Sequence, residues 1–366
     1  MIAQLFKTLL LKPFLISFLL SFAATYFTIR FAEYFGLIDN PRKRPHPAHT
    51  HTGNIPRAGG LAIAFAVLIS VFICFPFSRQ IISIAAAIII LTFVGVLDDK
   101  KDISPYFRLL TNILCALIVI ATGVGVSYIT NPFGGVIRLD EFTINFSFFG
   151  PRTIIVFRDL FSLFWIVFCM NIIGWSCGID GQLPGFAGIA FLIIGITSFQ
   201  TMIVGDFAQW TVAALSFICA GAYFGFLPWN FYPQKIMPGY SGKSLAGFLL
   251  AVLAILSQTK IGTAILVLAV PLVDGAYVIF RRLSKGELPV WGDRQHLHHR
   301  LLEIGWGRRR IALFYWLTSA ILGLLSFKLS GIEKLFLIFL IAVFLGGFFL
   351  WLNFFSSSNR QGPDNG

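Results

Sequence analysis

A bundle of transmembrane α-helices is the fold class this sequence predicts, and three observations predict it. Hydrophobic residues make up 57% of the 366-residue chain and charged residues only 12%, too few to cover a water-soluble domain of that size. Apolar runs of roughly 15–24 residues recur along the whole length, near the ~20 that cross a bilayer as helix. The runs are continuous rather than alternating, which excludes a membrane barrel, the other way to pair every backbone amide in lipid.

In order, the runs place eleven helices at about 14–36, 59–77, 81–97, 108–126, 157–174, 185–204, 210–228, 244–257, 261–280, 311–329 and 334–355. Lys7 and Lys12 ahead of an apolar run and Ala23-Ala24 imitate a signal peptide. With ten spans behind it, this segment reads as an uncleaved first helix. Between the fourth and fifth spans, an NPFGG turn precedes FTINFSF, in which Phe142, Ile144, Phe146 and Phe148 alternate with polar residues. That pattern predicts a short strand in a small outer-face β-hairpin. No linker or short repeat divides the chain. Residues 1–355 read as one multi-pass domain, and SSSNRQGPDNG (356–366) as a disordered cytoplasmic tail. Cys74, Cys115, Cys169 and Cys219 fall in helices and Cys177 at a helix end, without zinc or disulfide spacing.

The net charge of +12 would suit nucleic acid, but its distribution suits a membrane. One set of loops with the tail carries eighteen Lys and Arg, and the opposite set with the N-terminus carries nine. The richer side is then cytoplasmic, the N-terminus outside and the C-terminus inside.

Polar residues gather in five loops on that richer side, near 39–58, 98–108, 171–184, 229–243 and 281–310. A transporter would place such groups at mid-membrane between helices. Here they point to a substrate met at the cytoplasmic face. In the first loop, His51 and Arg57, with Arg42, Lys43, Arg44, His46 and His49, offer cations for phosphate, and Gly59-Gly60 allows close backbone approach. A topogenic charge cluster explains the cations but not the order PRAGG. In the second, Asp98 and Asp99 end an apolar helix with Asp102 behind them. Carboxylates there oppose the helix dipole. A positive partner is expected, either Mg²⁺ in a phosphate-handling site or Lys100 and Lys101 in a plain solvated turn.

The third loop sets Asn171 and Asp180 among Gly178, Gly181 and Gly185. The fourth offers Asn230 as an amide reader, Trp229 or Tyr232 for stacking on a base, and Lys235 and Lys243 for phosphate. The fifth reads WGDRQHLHHRLLEIGW. As a helix over 295–303 it puts His296 and His299 on one face beside Arg300, with His298 pointing elsewhere. Zinc is an alternative there, but Arg294, Arg300, Arg308, Arg309 and Arg310 favour an anion, including an anionic lipid headgroup.

These loops, in this order, resemble those of the polyprenyl-phosphate N-acetylhexosamine-1-phosphate transferases over roughly residues 30–310. IPRAGGLAI, GVLDDKKDISP and DRQHLHHRLLEIG carry the likeness. The IPR-x-GG form, the outer hairpin and the eleven spans are more similar to the UDP-GlcNAc branch than to the muramoyl-pentapeptide branch. The resemblance implies that a polyprenyl phosphate in the bilayer attacks a UDP-sugar at the inner membrane, with Mg²⁺ or Mn²⁺ assisting and UMP leaving. A homodimer is compatible with it. It implies metal and catalytic roles for Asp98, Asp99 and Asp180, a catalytic role for His299, and substrate contacts for His51, Arg57, Asn230, His296 and His298. Asn171, Lys235, Lys243, Arg294 and Arg300 complete the candidate set from their place in the loops.

Four positions depart from the family pattern. Gly174 and Cys177 stand where N-L-x-D-G-x-D-G has Asn and its first Asp. Tyr240 stands where F-M-G-D-S-G-S has a metal-binding Asp, and Lys243 is added. Three outcomes follow: the remaining carboxylates suffice for Mg²⁺, Lys243 partly replaces the ion's charge, or the chain is a silent relative that binds polyprenyl phosphate or nucleotide-sugar as a scaffold. A lipid-phosphate transporter is the reading outside the enzyme class.

Overall fold

The computed structural model describes residues 2–42, 53–131, 133–147, 151–257, 261–287 and 295–358. His51, Arg294 and the last eight residues of the expected tail lie outside them. The molecule is mostly helical. Its helices are α1 (Ile2–Phe31), α2 (Gly59–Cys74), α3 (Arg79–Lys101), α4 (Pro105–Ile120), α5 (Val156–Trp175), α6 (Gln182–Ile203), α7 (Gln209–Asn230), α8 (Gly239–Leu256), α9 (Ile261–Val267), α10 (Ala269–Ser284), α11 (Leu297–Glu303), α12 (Arg308–Ser326) and α13 (Gly331–Ser358). Seven of these are long and apolar enough to cross a bilayer, eight if α9 and α10 count as one bent span; α2 and α4 are shorter apolar helices.

Several boundaries move. The first helix ends at Phe31, ahead of a turn through Gly36, rather than near residue 36. Ser356–Ser358 close α13 instead of opening a tail. The expected helix 261–280 is broken at Leu268, where its halves bend by 84°. Pro271 has no amide to give the Val267 carbonyl, so the ladder is interrupted where the chain turns.

Local chemistry sets the ends of the helices that carry polar loops. Ser78 caps α3 by accepting from the Ile81 amide at 3.2 Å, and Ser104 caps α4 ahead of Pro105, accepting from Phe107 at 3.3 Å. Asp102 ends α3 in a left-handed conformation, φ 48°, and its amide returns to the Asp98 carbonyl. α8 is the central helix, packed against α2, α3 and α5, while α1 lies along α7 and α2. Small residues admit this: Gly247 faces the α5 backbone at Met170, and Gly221 and Gly225 face the α1 backbone. α13 is peripheral, with Phe336, Phe339 and Phe344 exposed.

Among the described residues there are three two-stranded antiparallel pairs: β1 (Ile38–Asp39) with β2 (Ile55–Pro56), β3 (Tyr128–Thr130) with β4 (Val136–Arg138), and β5 (Thr143–Ser147) with β6 (Pro151–Ile155). The first lies at the end of the bundle where α3 finishes. The other two follow Thr122, just past α4, whose hydroxyl meets that of Ser83 near the start of α3 at 2.9 Å, which places them at the end where α3 begins.

Candidate active site

Backbone stitching brings the first loop to the fourth. The Met237 amide donates to the Pro56 carbonyl at 2.8 Å, Gly59 to Met237 at 2.9 Å, and Gly60 to Pro238 at 2.9 Å. Any side chain at Gly60 would overlap Ser241 and the Gly242 backbone, so glycine is required for the start of α2 to lie on the start of α8. Gly239 is held at φ +68°, and a Cβ there would meet the Asp99 carboxylate.

This junction delivers Arg57 to the acidic end of α3. Its Nε lies 3.1 Å from Asp99 Oδ1, its Nη1 3.3 Å from Asp102 Oδ1, and its Nη2 3.6 Å from Asp98 Oδ2. Burial works to lower the Arg57 pKa, but Asp99, Asp102, Asp98 and Asp39 together hold it above its ordinary value. Arg108, from the first turn of α4, donates through Nε to Asp98 Oδ1 at 2.6 Å, and the Ile103 amide donates to the same oxygen at 3.1 Å. Asp99 accepts from the Tyr240 amide at 2.7 Å and from the Ser241 hydroxyl at 2.9 Å. The positive partners of the acidic pair are therefore arginines, not Lys100 and Lys101. The dipole penalty at the α3 C-terminus is offset by two guanidiniums and three neutral donors.

Tyr240 is built into this network. The Arg108 guanidinium sits 5.1 Å from the centre of its ring, and its hydroxyl donates to Asn112 Oδ1 at 3.1 Å. One turn along α8, Lys243 makes no hydrogen bond or ion pair among the described residues. It lies near enough to Asp99, Arg57 and Arg108 on one side, and to Cys177 and His298 on the other, for its charge to act on each.

The third loop runs only from Ser176 to Gly181, because α5 continues to Trp175. Asn171 is thus not a loop residue. It lies inside α5, its Nδ2 donating to the Val167 carbonyl at 2.7 Å. Asp180 Oδ2 accepts from the Gln234 amide at 3.4 Å and pairs with Arg308 Nη1 at 3.5 Å. Asn230 ties this loop to the fourth: it accepts from the Gly181 amide at 3.0 Å and donates to Gln234 and Ile236. All of its amide atoms are engaged inside the protein. Lys235 is exposed against the Trp229 ring, and Tyr232 lies under Arg308 and Arg309. Burial, ahead of the neighbouring charges, pushes the Cys177 thiol up to about 12, so it stays protonated.

In the fifth loop all three histidines are buried, and His298 is the most buried of them. His296 precedes α11, with its Nδ1 3.0 Å from Asp274 Oδ2, while the Leu297 amide donates to Asp274 Oδ1 at 2.9 Å. His298 does not turn away as the helical spacing implied. Its ring packs 4.2 Å from that of His299 and fills the space left by Gly178 in the third loop. Burial first, then His299, His296 and Lys243, hold its pKa well below the ordinary 6.5, so the ring is neutral. Arg300 is engaged with Gln295 and Glu303.

Two residues of this end escape sequence reasoning. Arg108 stands out in the sequence only as loop charge. Asp274 carries a usable signal, a lone carboxylate within PLVDGAYVIF, since an ionisable group in an apolar helix marks function or a partner.

Among the described residues the donor set does not fit a resident divalent ion. Among the described residues no three His, Cys, Asp or Glu side chains converge as a metal site. Both Asp99 oxygens hold protein donors, and Asp98 Oδ1 holds two. Of the candidate ligands Asp98, Asp99 and Asp180, the oxygens left without a hydrogen bond, Asp98 Oδ2 and Asp180 Oδ1, belong to different loops, and each carboxylate already faces an arginine.

Comparison with known proteins agrees with the resemblance. Residues 81–258 match the family described as glycosyl transferase family 4. The chain is 30% identical over 307 residues to a decaprenyl-phosphate N-acetylglucosaminephosphotransferase of Mycobacterium leprae, covering 76% of this chain and 74% of that one. It is 27% identical over 342 residues to a probable undecaprenyl-phosphate N-acetylglucosaminyl 1-phosphate transferase of Bacillus subtilis (91% and 89% covered). Identity is 28% over 348 residues to the undecaprenyl-phosphate alpha-N-acetylglucosaminyl 1-phosphate transferase of Escherichia coli (90% and 88% covered).

Proposed function

The chain belongs to the polyprenyl-phosphate N-acetylhexosamine-1-phosphate transferases, and from that premise we propose that it transfers GlcNAc-1-phosphate from UDP-GlcNAc to undecaprenyl or a related polyprenyl phosphate, releasing UMP. The observation that carries this reading is the meeting of five loops at one end of the bundle: Arg57 joins the first loop to Asp98 and Asp99, Gly59 joins it to Met237 of the fourth, Asn230 joins the fourth to Gly181 of the third, and His298 of the fifth packs on Gly178 of the third.

The reaction joins two anions, so the protein's main task is electrostatic. The acceptor phosphate is already a nucleophile and needs no strong base. Arg108 lies beside an exposed apolar stripe of α4, made of Phe107, Leu110, Leu114 and Leu117. A prenyl chain held along that stripe in the bilayer presents its phosphate to the Arg108 guanidinium. Lys243 and Arg57 face the donor diphosphate, and the neutral His298 with His299 offers imidazole donors to it. Tyr232 and Trp229, beside the Arg308 and Arg309 side of the site, are the aromatic surfaces available to a base.

The same reading sets the topology: eleven crossings of the inner membrane, N-terminus outside, the active end cytoplasmic, and the β5–β6 hairpin on the outer face. Purified protein in lipid nanodiscs, given undecaprenyl phosphate and labelled UDP-GlcNAc, is expected to yield labelled lipid and free UMP in equal amounts. Binding of both substrates without UMP release would instead favour the scaffold reading.

A further inference from the structure

Metal-dependent phosphate chemistry needs positive charge beside the diphosphate and carboxylates to anchor the ion. At this site three of the four oxygens of Asp98 and Asp99 already accept protein hydrogen bonds, the fourth faces Arg57, and the positive charge is supplied by side chains. Asp99 is held by Arg57, the Tyr240 amide and the Ser241 hydroxyl, and Asp98 by Arg108 and the Ile103 amide. The Tyr240 ring fills the ground between Arg108 and Asn112, where a further ligand would have to stand. Removing an arginine to seat an ion would leave a buried charge pair broken. Lys243, on the face of α8 between the acid–arginine cluster and the histidines, makes no ion pair among the described residues.

We propose that Lys243, with Arg57, takes the place of the divalent ion, binding the donor diphosphate directly, so that donor binding and transfer proceed without a metal. Resting on the transferase reading, this inference names the group that meets the diphosphate. In the step itself an oxygen of the acceptor phosphate bonds to the sugar-bearing phosphorus. The bond from that phosphorus to the bridging oxygen breaks, and UMP departs with that oxygen and the bonding electrons. The lysine ammonium and guanidinium lie against charge that builds on the bridging and non-bridging oxygens, and no proton need be moved by a metal-bound water. Tyr240 acts as a positioning residue, keeping Arg108 on Asp98.

Two measurements on the full chain in nanodiscs test this. In the first, Mn²⁺ is titrated and followed by electron paramagnetic resonance without donor. The expected result is only the free-ion signal. A saturable site that Asp98→Asn removes would overturn the inference. In the second, UDP-GlcNAc and uridine binding are measured by calorimetry in EDTA and in Mg²⁺. Donor affinity is expected to be the same in both. Lys243→Met is expected to lose about tenfold or more for UDP-GlcNAc, roughly the worth of one charge-assisted contact, with uridine unaffected and Lys243→Arg largely restored. Donor binding that collapses in EDTA, or a Lys243→Met variant with normal affinity, overturns the proposal. Failure to bind UDP-GlcNAc in either condition overturns the transferase reading instead, while the Mn²⁺ titration still decides whether the chain holds a metal.

Discussion

Asp98 illustrates how single residues carry this site. It is fully buried, one oxygen takes the 2.6 Å bond from Arg108, and the other has no hydrogen bond. Removing one partner of a buried pair costs about 3–5 kcal/mol when nothing replaces it. Arg108 keeps some solvent access, so Arg108→Met is expected to cost about 3 kcal/mol, near the lower end. It should be read as a lowered midpoint of unfolding in nanodiscs; an unchanged midpoint would show that Arg57 alone compensates Asp98. His298 makes a prediction in pH. Its folded pKa lies well below the ordinary 6.5, so below that value the unfolded chain takes up a proton that the folded protein refuses. Stability from the neutral ring is complete above 6.5 and is lost as pH falls toward the folded value. From about pH 7.5 to about 5.5 the wild type should lose more thermal stability than His298→Gln. Equal losses would mean that the pKa of His298 does not differ between the folded and unfolded chain. The identity of these acidic and histidine residues was legible in the sequence because carboxylates and imidazoles are rare in so apolar a chain. Their partners were not, since the Arg57–Asp99 and His296–Asp274 contacts join a loop residue to a helix separated from it along the chain, and residue spacing does not report such closure.

Among the elements, apolar run length located the helices well, since the bilayer imposes a minimum length on each. It failed where the run was continuous across a break. The segment IGTAILVLAVPLVDGAYVIF reads as one span, yet turns by 84° at Leu268. Pro271 was the available signal, outweighed by unbroken hydrophobicity. That bend matters to the site, because α10 brings Asp274 to the start of α11. Helix contacts near the site depend on missing side chains, and two glycines give opposite expectations. Gly60→Ala forces the start of α2 away from Ser241 and Gly242, and should cost about 2 kcal/mol or more as an overpacked contact, displacing Arg57 and lowering turnover. Gly346 lies inside α13 in open space, with nothing within 4 Å of the place a methyl group would take. Gly346→Ala should leave turnover intact and raise stability by about 0.5–1 kcal/mol through helix propensity. Thermal unfolding of the two variants in nanodiscs checks both signs; equal effects would show that the α2–α8 junction tolerates a Cβ.

For the whole molecule, the question is which end faces the cytoplasm. α3 has 23 residues, about 35 Å of helix, enough to carry its two ends across a hydrocarbon core of about 30 Å. Asp98 and Asp99 lie at its last turn, while Ser83, near its first, touches Thr122 on the side of the β3–β6 strands. The polar end and the strand end are therefore separated along the bundle by the length of a span. Charge orients such a bundle: the loops of the polar end hold twice the Lys and Arg of the other set, and lysine and arginine near span ends are retained on the cytoplasmic side. A membrane-impermeant maleimide applied to intact spheroplasts should thus label Glu141→Cys, between the strand pairs, without permeabilisation. Glu287→Cys, just beyond α10, should be labelled only after it. Both positions are exposed. Four of the five native cysteines are buried and Cys74 is partly so, which makes the parent chain the background measurement. Labelling in the reverse order would put the acid–arginine cluster outside the cell, where nucleotide-sugars are not made, and would remove the proposed donor along with the orientation. The charge asymmetry would then have to be explained by anionic lipid binding at an external face, an arrangement that the retention of positive loops inside argues against.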